Sequence, residues 1–253
     1  MQRDELERYA RQIVLKEIGG AGQQALNNAR VLIVGAGGLG GPAGLYLAAA
    51  GTGHIGIIDE DIVALSNLHR QVQFRTNDVG ALKTKATANT LTAINPHANI
   101  HEFRHKINAD NARDIIEDYD IVLDGTDNFE ARFLVNATCL RTKTPLVSGA
   151  LGRFEGQLSV FKMDWPKNET GACYRCFVPQ KPPEAETCAA VGVVGALAGI
   201  IGSMMAMEAI KIITSAGKPL YGKLFLYDGL NGEARTISLP KDPNCPECSV
   251  PRV

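Results

Sequence analysis

Val31-Leu32-Ile33-Val34-Gly35-Ala36-Gly37-Gly38-Leu39-Gly40 is the stretch that decides the fold. Four apolar residues in a row suit a strand covered on both faces, the normal state of a parallel strand. The glycine cluster then opens an apolar segment from about Leu39 to Ala50 that has helical length and composition. Gly35 to Gly40 fits G-x-G-x-x-G in the strand–turn–helix setting that the motif needs. Such a turn lets backbone approach phosphate oxygens, and the helix N-terminus favours their charge. Ile55–Ile58 is the next apolar strand and ends at Asp59, where a carboxylate can accept hydrogen bonds from ribose hydroxyls. The motif alone fits NAD as well as ATP.

Further along, the same alternation continues. Helices are expected at about Ala81–Ile94, stopped by Asn95-Pro96, and at Ala109–Glu117 and Phe129–Arg141. Strands are expected at Asn99–Phe103, Ile121–Leu123 and Pro145–Ser148. This βαβα order predicts an α/β fold with a doubly wound, Rossmann-like, mostly parallel sheet. After about Gly152 the pattern changes. Gln157–Lys162 alternates like an antiparallel strand, and Lys223–Tyr227 with Ala234–Ser238 predicts a hairpin around Asp228-Gly229-Leu230-Asn231-Gly232. The polar, proline-bearing Trp165–Thr187 stretch is long for a connector and is expected to be a binding or covering loop. The expected organisation is one domain over 1–253, with a nucleotide-binding part at about 28–152 and a second functional part at about 153–253.

Two Cys-x-x-Cys knuckles, Cys173-Tyr-Arg-Cys176 and Cys245-Pro-Glu-Cys248, have the spacing at which paired thiolates grip one tetrahedral Zn²⁺. Four thiolates leave no open coordination position, so the expected metal is a structural four-cysteine zinc clasp tying the C-terminal region to mid-chain. Redox-active pairs or two disulfides are the alternatives. Cys139, inside an expected helix, is read as a small core residue.

The chain has 253 residues, 45% hydrophobic, with a formal net charge of −1. That balance offers no basic surplus for nucleic acid or an anionic membrane. Five of the first eight residues are charged, so no secretory signal is expected there. Together with metal-type cysteine spacing, this predicts a cytoplasmic protein. The uncharged run Ala189–Met207 contains Gly195-Ala-Leu-Ala-Gly199, a small-xxx-small pattern also found in membrane helices. Glu208 and Lys211 continue the helical pattern directly, so a closely packed core or interface helix is expected rather than a membrane span.

Ser66-Asn67-Leu68-His69-Arg70-Gln71 and Lys83 bring an amide and cations into the polar segment after Asp59. A triphosphate gives such cations more to neutralise than a dinucleotide does. Asp124-Gly125-Thr126-Asp127-Asn128 follows the Ile121–Leu123 strand, at the edge where open α/β sheets bind ligands. Asp127 is a candidate Mg²⁺ ligand; capping of the helix beginning near Phe129 is the competing role.

Arg8-Tyr9-Ala10-Arg11-Gln12, the Gly35–Gly40 loop, Ser66–Gln71, Gly80-x-x-Lys83, Thr126-Asp127-Asn128 with Arg132, both cysteine knuckles and Met207-Glu208-Ala209-Ile210-Lys211 occur here in order. In this, the chain resembles the HesA/MoeB/ThiF family, relatives of ubiquitin-activating enzymes, over nearly its whole length. The resemblance implies an ATP-dependent adenylyltransferase acting on the C-terminal glycine of a small ubiquitin-like sulfur carrier, for molybdopterin or thiamine-thiazole biosynthesis. It implies that Gly38, with Gly35, Gly37 and Gly40, serves the nucleotide and that Asp59 holds the ribose. Asn67, Arg70 and Lys83 would meet the phosphates, and Asp127 would carry Mg²⁺ beside Asn128. Arg11 would reach the partner's site in a homodimer, and Cys188 would be a sulfur-transfer thiol or an inert one.

No rhodanese-like segment follows Cys248, so a separate sulfur-donor protein is expected. The alternatives are an NAD-dependent oxidoreductase, for which no His, Lys or Tyr constellation is evident, and a catalytically silent carrier-binding subunit, against which Arg11, Arg70, Lys83 and Asp127 argue. Related tRNA-modifying dehydratases share the nucleotide motifs but fit the knuckles and the Cys188 segment less well.

Overall fold

The computed structural model describes residues 3–162, 171–182 and 192–249. The apolar run at its centre is β1 (Arg30–Val34), whose side chains leave the strand alternately on two faces. Val31 and Ile33 enter one core, and Leu32 and Val34 enter the other. Both faces are therefore covered, which is why the strand carries no polar alternation.

Around it β2 (His54–Ile58), β3 (Asn99–Phe103), β4 (Ile121–Asp124) and β5 (Leu146–Leu151) pair in parallel. β6 (Glu155–Phe161), β7 (Lys223–Asp228) and β8 (Glu233–Ser238) then continue the sheet antiparallel, giving the order β3-β2-β1-β4-β5-β6-β7-β8. The doubly wound, mostly parallel sheet with a C-terminal antiparallel portion is as expected. Its switch point lies between β1 and β4, where chain connections leave in opposite directions and a crevice opens at the strand ends.

The chain begins with two helices that the sequence reading did not assign, α1 (Arg3–Ile13) and α2 (Gly19–Asn28). They are followed by α3 (Gly40–Ala50), α4 (Lys83–Ile94), α5 (Ala112–Ile116) and α6 (Phe129–Thr142). The last two are α7 (Tyr174–Phe177) and α8 (Gly195–Thr214). The expected Ala109–Glu117 helix is shorter because Asn108 and Asn111 bind each other's backbone: Asn108 Oδ1 accepts from Asp110 N and Asn111 N, and Asn111 Oδ1 accepts from Asn108 N. These Asx turns compete with a helical start. β5 runs on to Leu151 because β6 pairs with it along its whole length.

By length and composition α8 could cross a membrane. It instead packs on α3, β5 and β6, burying Leu197, Ala198, Ile201, Met205, Ala206 and Ala209 in the larger core. Its small residues have a packing cause: a Cβ on Gly195 would overlap the His69 carbonyl oxygen. On the opposite face α5 and α6 cover the sheet. There Cys139 is buried, and loss of water pushes its thiol well above the usual range, as suits an inert core residue.

Candidate nucleotide cleft and cysteine clasp

At the switch point a cleft of about 560 Å³ opens between the loop after β1, the end of β2 and the turn after β4. Gly35, Gly37 and Gly38 line it, together with Asp59, Arg70, Lys83, Asp127 and Asn128. Three expected site residues are not among its described lining. Gly40 stands behind the loop, where a Cβ would overlap the Gly35 carbonyl oxygen, so glycine is required there by packing. Asn67 turns its Oδ1 onto Ala64 N at 3.1 Å, capping the short Leu65–Asn67 turn. Arg11 is exposed on α1. Cys188 and most of the Trp165–Thr187 stretch lie outside the described residues.

Asp59, Lys83 and Arg70 are each held by neighbouring groups. Asp59 Oδ2 accepts from Ala36 N and its Oδ1 from Asp61 N, each at 2.8 Å, so this carboxylate anchors the glycine loop as well as facing the cleft. Burial raises its pKa above the ordinary carboxylate value, partly opposed by the Lys83 ammonium and by those two N–H groups. Its proton is held more tightly folded than unfolded. Ionising it therefore withdraws stability as pH rises from the unfolded pKa through the folded one, a cost often found at residues kept for binding. Lys83 is buried and pairs with Asp61 at 2.7 Å. Arg70 Nη1 donates to Ser66 O at 2.9 Å, which holds the guanidinium by one nitrogen at the border of the cleft.

The turn after β4 divides two tasks between neighbours. Asn128 Oδ1 accepts from Ala131 N at 2.9 Å and is the N-cap of α6, which leaves the exposed Asp127 carboxylate free of capping duty. Buried Asp124 holds the turn from below, accepting from Thr126 N at 3.0 Å and from the Thr126 hydroxyl at 2.6 Å. Sequence reasoning missed the part played by Arg132. Its buried guanidinium donates to Thr126 O and, at 3.0 Å, to Gly149 O, and lies 6.0 Å from the Tyr174 ring centre. One side chain thus ties the Asp127 turn to β5 and to the first cysteine knuckle. Lys106, also unassigned from sequence, adds a further cation to the rim.

The two knuckles meet. Cys173 Sγ is 3.6 Å from Cys245 Sγ, Cys176 Sγ is 3.5 Å from Cys248 Sγ, and all four sulfurs lie within 4.8 Å of one another. Sulfurs around a tetrahedral ion with bonds of roughly 2.3 Å stand about 3.8 Å apart. The donor set therefore fits one thiophilic metal, and all four thiols are free of disulfides. Leu140 of α6 packs on the cluster, and Tyr174 N donates to Asn136 Oδ1 at 2.8 Å, joining the knuckle to α6. Tyr174, Phe177 and Val178 continue from it into the wall of the nucleotide cleft.

A second hollow of about 580 Å³ lies over the ends of β5 to β8 and shares Ala150, Leu151 and Gln157 with the first. Glu155, Asp228 and Glu233 stand opposite one another across β6, β7 and β8 along its edge. Like charges in cross-strand register weaken a sheet; Asp228 also holds the hairpin turn, accepting from Leu230 N, Asn231 N and Asn231 Nδ2.

A model of the ThiF family matches residues 9–247. A sulfur carrier protein adenylyltransferase of Thermus thermophilus is 43% identical, over 97% of this chain and 92% of its own length. The probable adenylyltransferase/sulfurtransferase MoeZ of Mycobacterium tuberculosis is 45% identical over 98% of this chain, which spans 63% of that longer protein. Among solved structures, E. coli MccB with ATP aligns with a TM-score of 0.82 over 96% of this chain and 75% of its own. At 24% identity that likeness is one of fold.

Proposed function

The chain belongs to the ThiF family, and from that premise we propose that it adenylates the C-terminal glycine of a small ubiquitin-like sulfur carrier, releasing pyrophosphate. The observation that carries this reading is the cleft itself: a glycine loop with Arg70, Lys83 and Asp127 around it. The proposed reaction needs no general base. A terminal carboxylate has a pKa of roughly 3.5 and is already ionised at neutral pH. One of its oxygens attacks the α-phosphorus of ATP while the bond to the bridging oxygen of the β-phosphate breaks. Pyrophosphate takes the electron pair and the acyl-adenylate remains. Catalysis then consists of aiming and charge neutralisation.

In this reading Gly35, Gly37 and Gly38 pack against the nucleotide, Asp59 holds the ribose, and Arg70 and Lys83 neutralise phosphate charge. Asp127 would hold Mg²⁺ together with phosphate oxygens, since that ion is commonly bound through one or two carboxylates and substrate phosphates; when bound, it draws charge from the leaving group. The part from about 28 to 152 serves the nucleotide. The part from about 153 to 253 serves the carrier, whose tail would pass from the hollow over β5–β8 into the cleft. The carboxylate row there suits a carrier with basic residues near its tail. A homodimer is proposed from the exposed apolar side chains of Leu6, Tyr46 and Met207 on α1, α3 and α8. Free thiols at every described cysteine suit a reducing cytoplasm.

The test is ATP–pyrophosphate exchange with each candidate carrier, from the molybdopterin and thiazole pathways, in turn. Exchange dependent on one of them supports the proposal; none with any carrier, and no stabilisation by ATP–Mg²⁺, refutes it. Stabilisation by NAD instead would favour an oxidoreductase.

The clasp, in this proposal, holds one Zn²⁺ per chain through Cys173, Cys176, Cys245 and Cys248, and the ion's contribution is to folding. Cys176→Ser or Cys248→Ser should remove the metal and lower Tm by about 10 °C or more. Metal analysis of protein purified without chelator checks the stoichiometry, and a zinc-free wild type of full stability refutes the clasp. Cys188 is proposed to act after adenylation: its thiolate attacks the acyl-adenylate, forming a thioester and releasing AMP, or takes the outer sulfur of a separate donor protein's persulfide, leaving that donor as a thiolate. Cys188→Ala should keep exchange within about threefold of wild type, because the carrier's own carboxylate is the nucleophile of the first step. Full thiocarboxylation of the carrier by that variant would make the thiol structural.

A further inference from the structure

Gln73 is 2% exposed and contacts the glycine loop from behind, outside the described lining of the cleft. Its Nε2 donates to Ala36 O at 2.9 Å and to Gly37 O at 3.2 Å. On the other side of the same residue, Ala36 N donates to Asp59 Oδ2. The loop is therefore gripped at an N–H by a carboxylate and at two successive carbonyls by an amide. The Gln73 backbone is itself fixed, since its main-chain carbonyl accepts from the Thr90 hydroxyl at 2.9 Å.

The arrangement carries a cost. Gln73 Oε1 is buried without a hydrogen-bond partner, and it occupies the space that a Cβ on Gly41 would need. An apolar side chain of the same length would fill the space without an unpaired oxygen. What only the amide supplies is its pair of N–H groups, and both point at loop carbonyls. Those carbonyls matter because a polyphosphate is repelled by carbonyl oxygens and attracted by backbone N–H groups. Held from behind, the oxygen of Ala36 stays turned from the cleft, and that of Gly37 does so with the further help of Gly41 N, which donates to it at 2.9 Å.

We propose that Gln73 is a positioning residue for nucleotide binding, locking the glycine loop with its carbonyls turned away from the phosphates. This rests on the ATP reading above. The test compares wild type with Gln73→Met, which keeps length and volume but has no donor, and Gln73→Glu, which sets carboxylate oxygen against the two carbonyls. In ATP–pyrophosphate exchange the Met variant should raise KM for ATP about tenfold and the Glu variant more. KM for the carrier and kcat at saturating ATP should stay within about twofold, and the Tm of the nucleotide-free Met variant should be little changed. A packing role predicts the reverse, lowered Tm with unchanged KM for ATP. That pattern, or loss of the fold in both variants, overturns the proposal. Failure of wild type to bind ATP would instead overturn the reading on which it rests.

Discussion

Lys83→Ala and Asp127→Ala should each slow adenylate formation by at least about a hundredfold, the usual cost of losing one group aimed at developing charge in a closed site. Their causes differ. Lys83 is buried against Asp61 and close enough to Asp59 to lower that carboxyl's pKa. Removing the ammonium leaves two carboxylates facing a polyphosphate, so repulsion is added to the lost attraction. Asp59 would then hold its proton to still higher pH, and the variant should regain part of its ATP affinity as pH falls and that carboxyl is neutralised. Asp127 has no such structural partner among the described residues. It is exposed and the capping of α6 is done by Asn128, so Asp127→Ala should fold with wild-type Tm and lose activity through Mg²⁺. Raising Mg²⁺ should partly restore Asp127→Ala and leave Lys83→Ala unchanged. Pyrophosphate exchange against pH and Mg²⁺ checks both; near-wild-type rates in the two variants would mean that the phosphates lie elsewhere.

The elements that position this site were legible where the chain offers one physical home. An uninterrupted apolar strand running into glycines belongs in the middle of a parallel sheet, and β1, its loop and α3 lie where the pattern requires. The cysteine knuckles were legible for a similar reason, since spacing brings two thiolates together whatever the surrounding fold. The N-terminal helices were not. α1 carries Leu6, Tyr9 and Ile13 at helical spacing, but that stripe is short and set among charges, and α2 opens with glycines that disfavour a helix. Residues whose partners are distant main-chain groups were hidden as well. Gln73 binds carbonyls 36 and 37 residues away, and Arg132 binds those of Thr126 and Gly149. Nothing in the residue type announces such a partner. The division of work between Asp127 and Asn128 needed coordinates for a simpler reason: either side chain can cap a helix, and only geometry says which one does.

Arg11→Ala and Asp127→Ala, each inactive alone, should regain activity when mixed and allowed to exchange subunits. Arg11 is absent from the described lining of its own cleft, and it stands between two residues that anchor α1 firmly. Tyr9 OH accepts from Asn95 Nδ2 at 2.8 Å, and Gln12 Nε2 donates to Gln23 Oε1 at 2.7 Å and to Ala50 O at 3.0 Å. The arginine is therefore carried outward on a fixed helix rather than on a loose tail. Val14, just past the end of α1, is an exposed apolar side chain of the kind a second copy would cover. In a twofold dimer each Arg11 would then complete the other subunit's site. A mixed dimer contains one site with neither residue and one site with both. Random exchange makes about half of the dimers mixed, so recovered activity should approach about a quarter of wild type per chain. Arg11→Lys should recover little, because a guanidinium offers two parallel donors to phosphate where an ammonium offers a point charge. A strictly monomeric wild type, or confirmed mixed dimers without activity, would show that Arg11 does not act across the interface. Activity of Arg11→Ala alone would remove it from the reaction altogether.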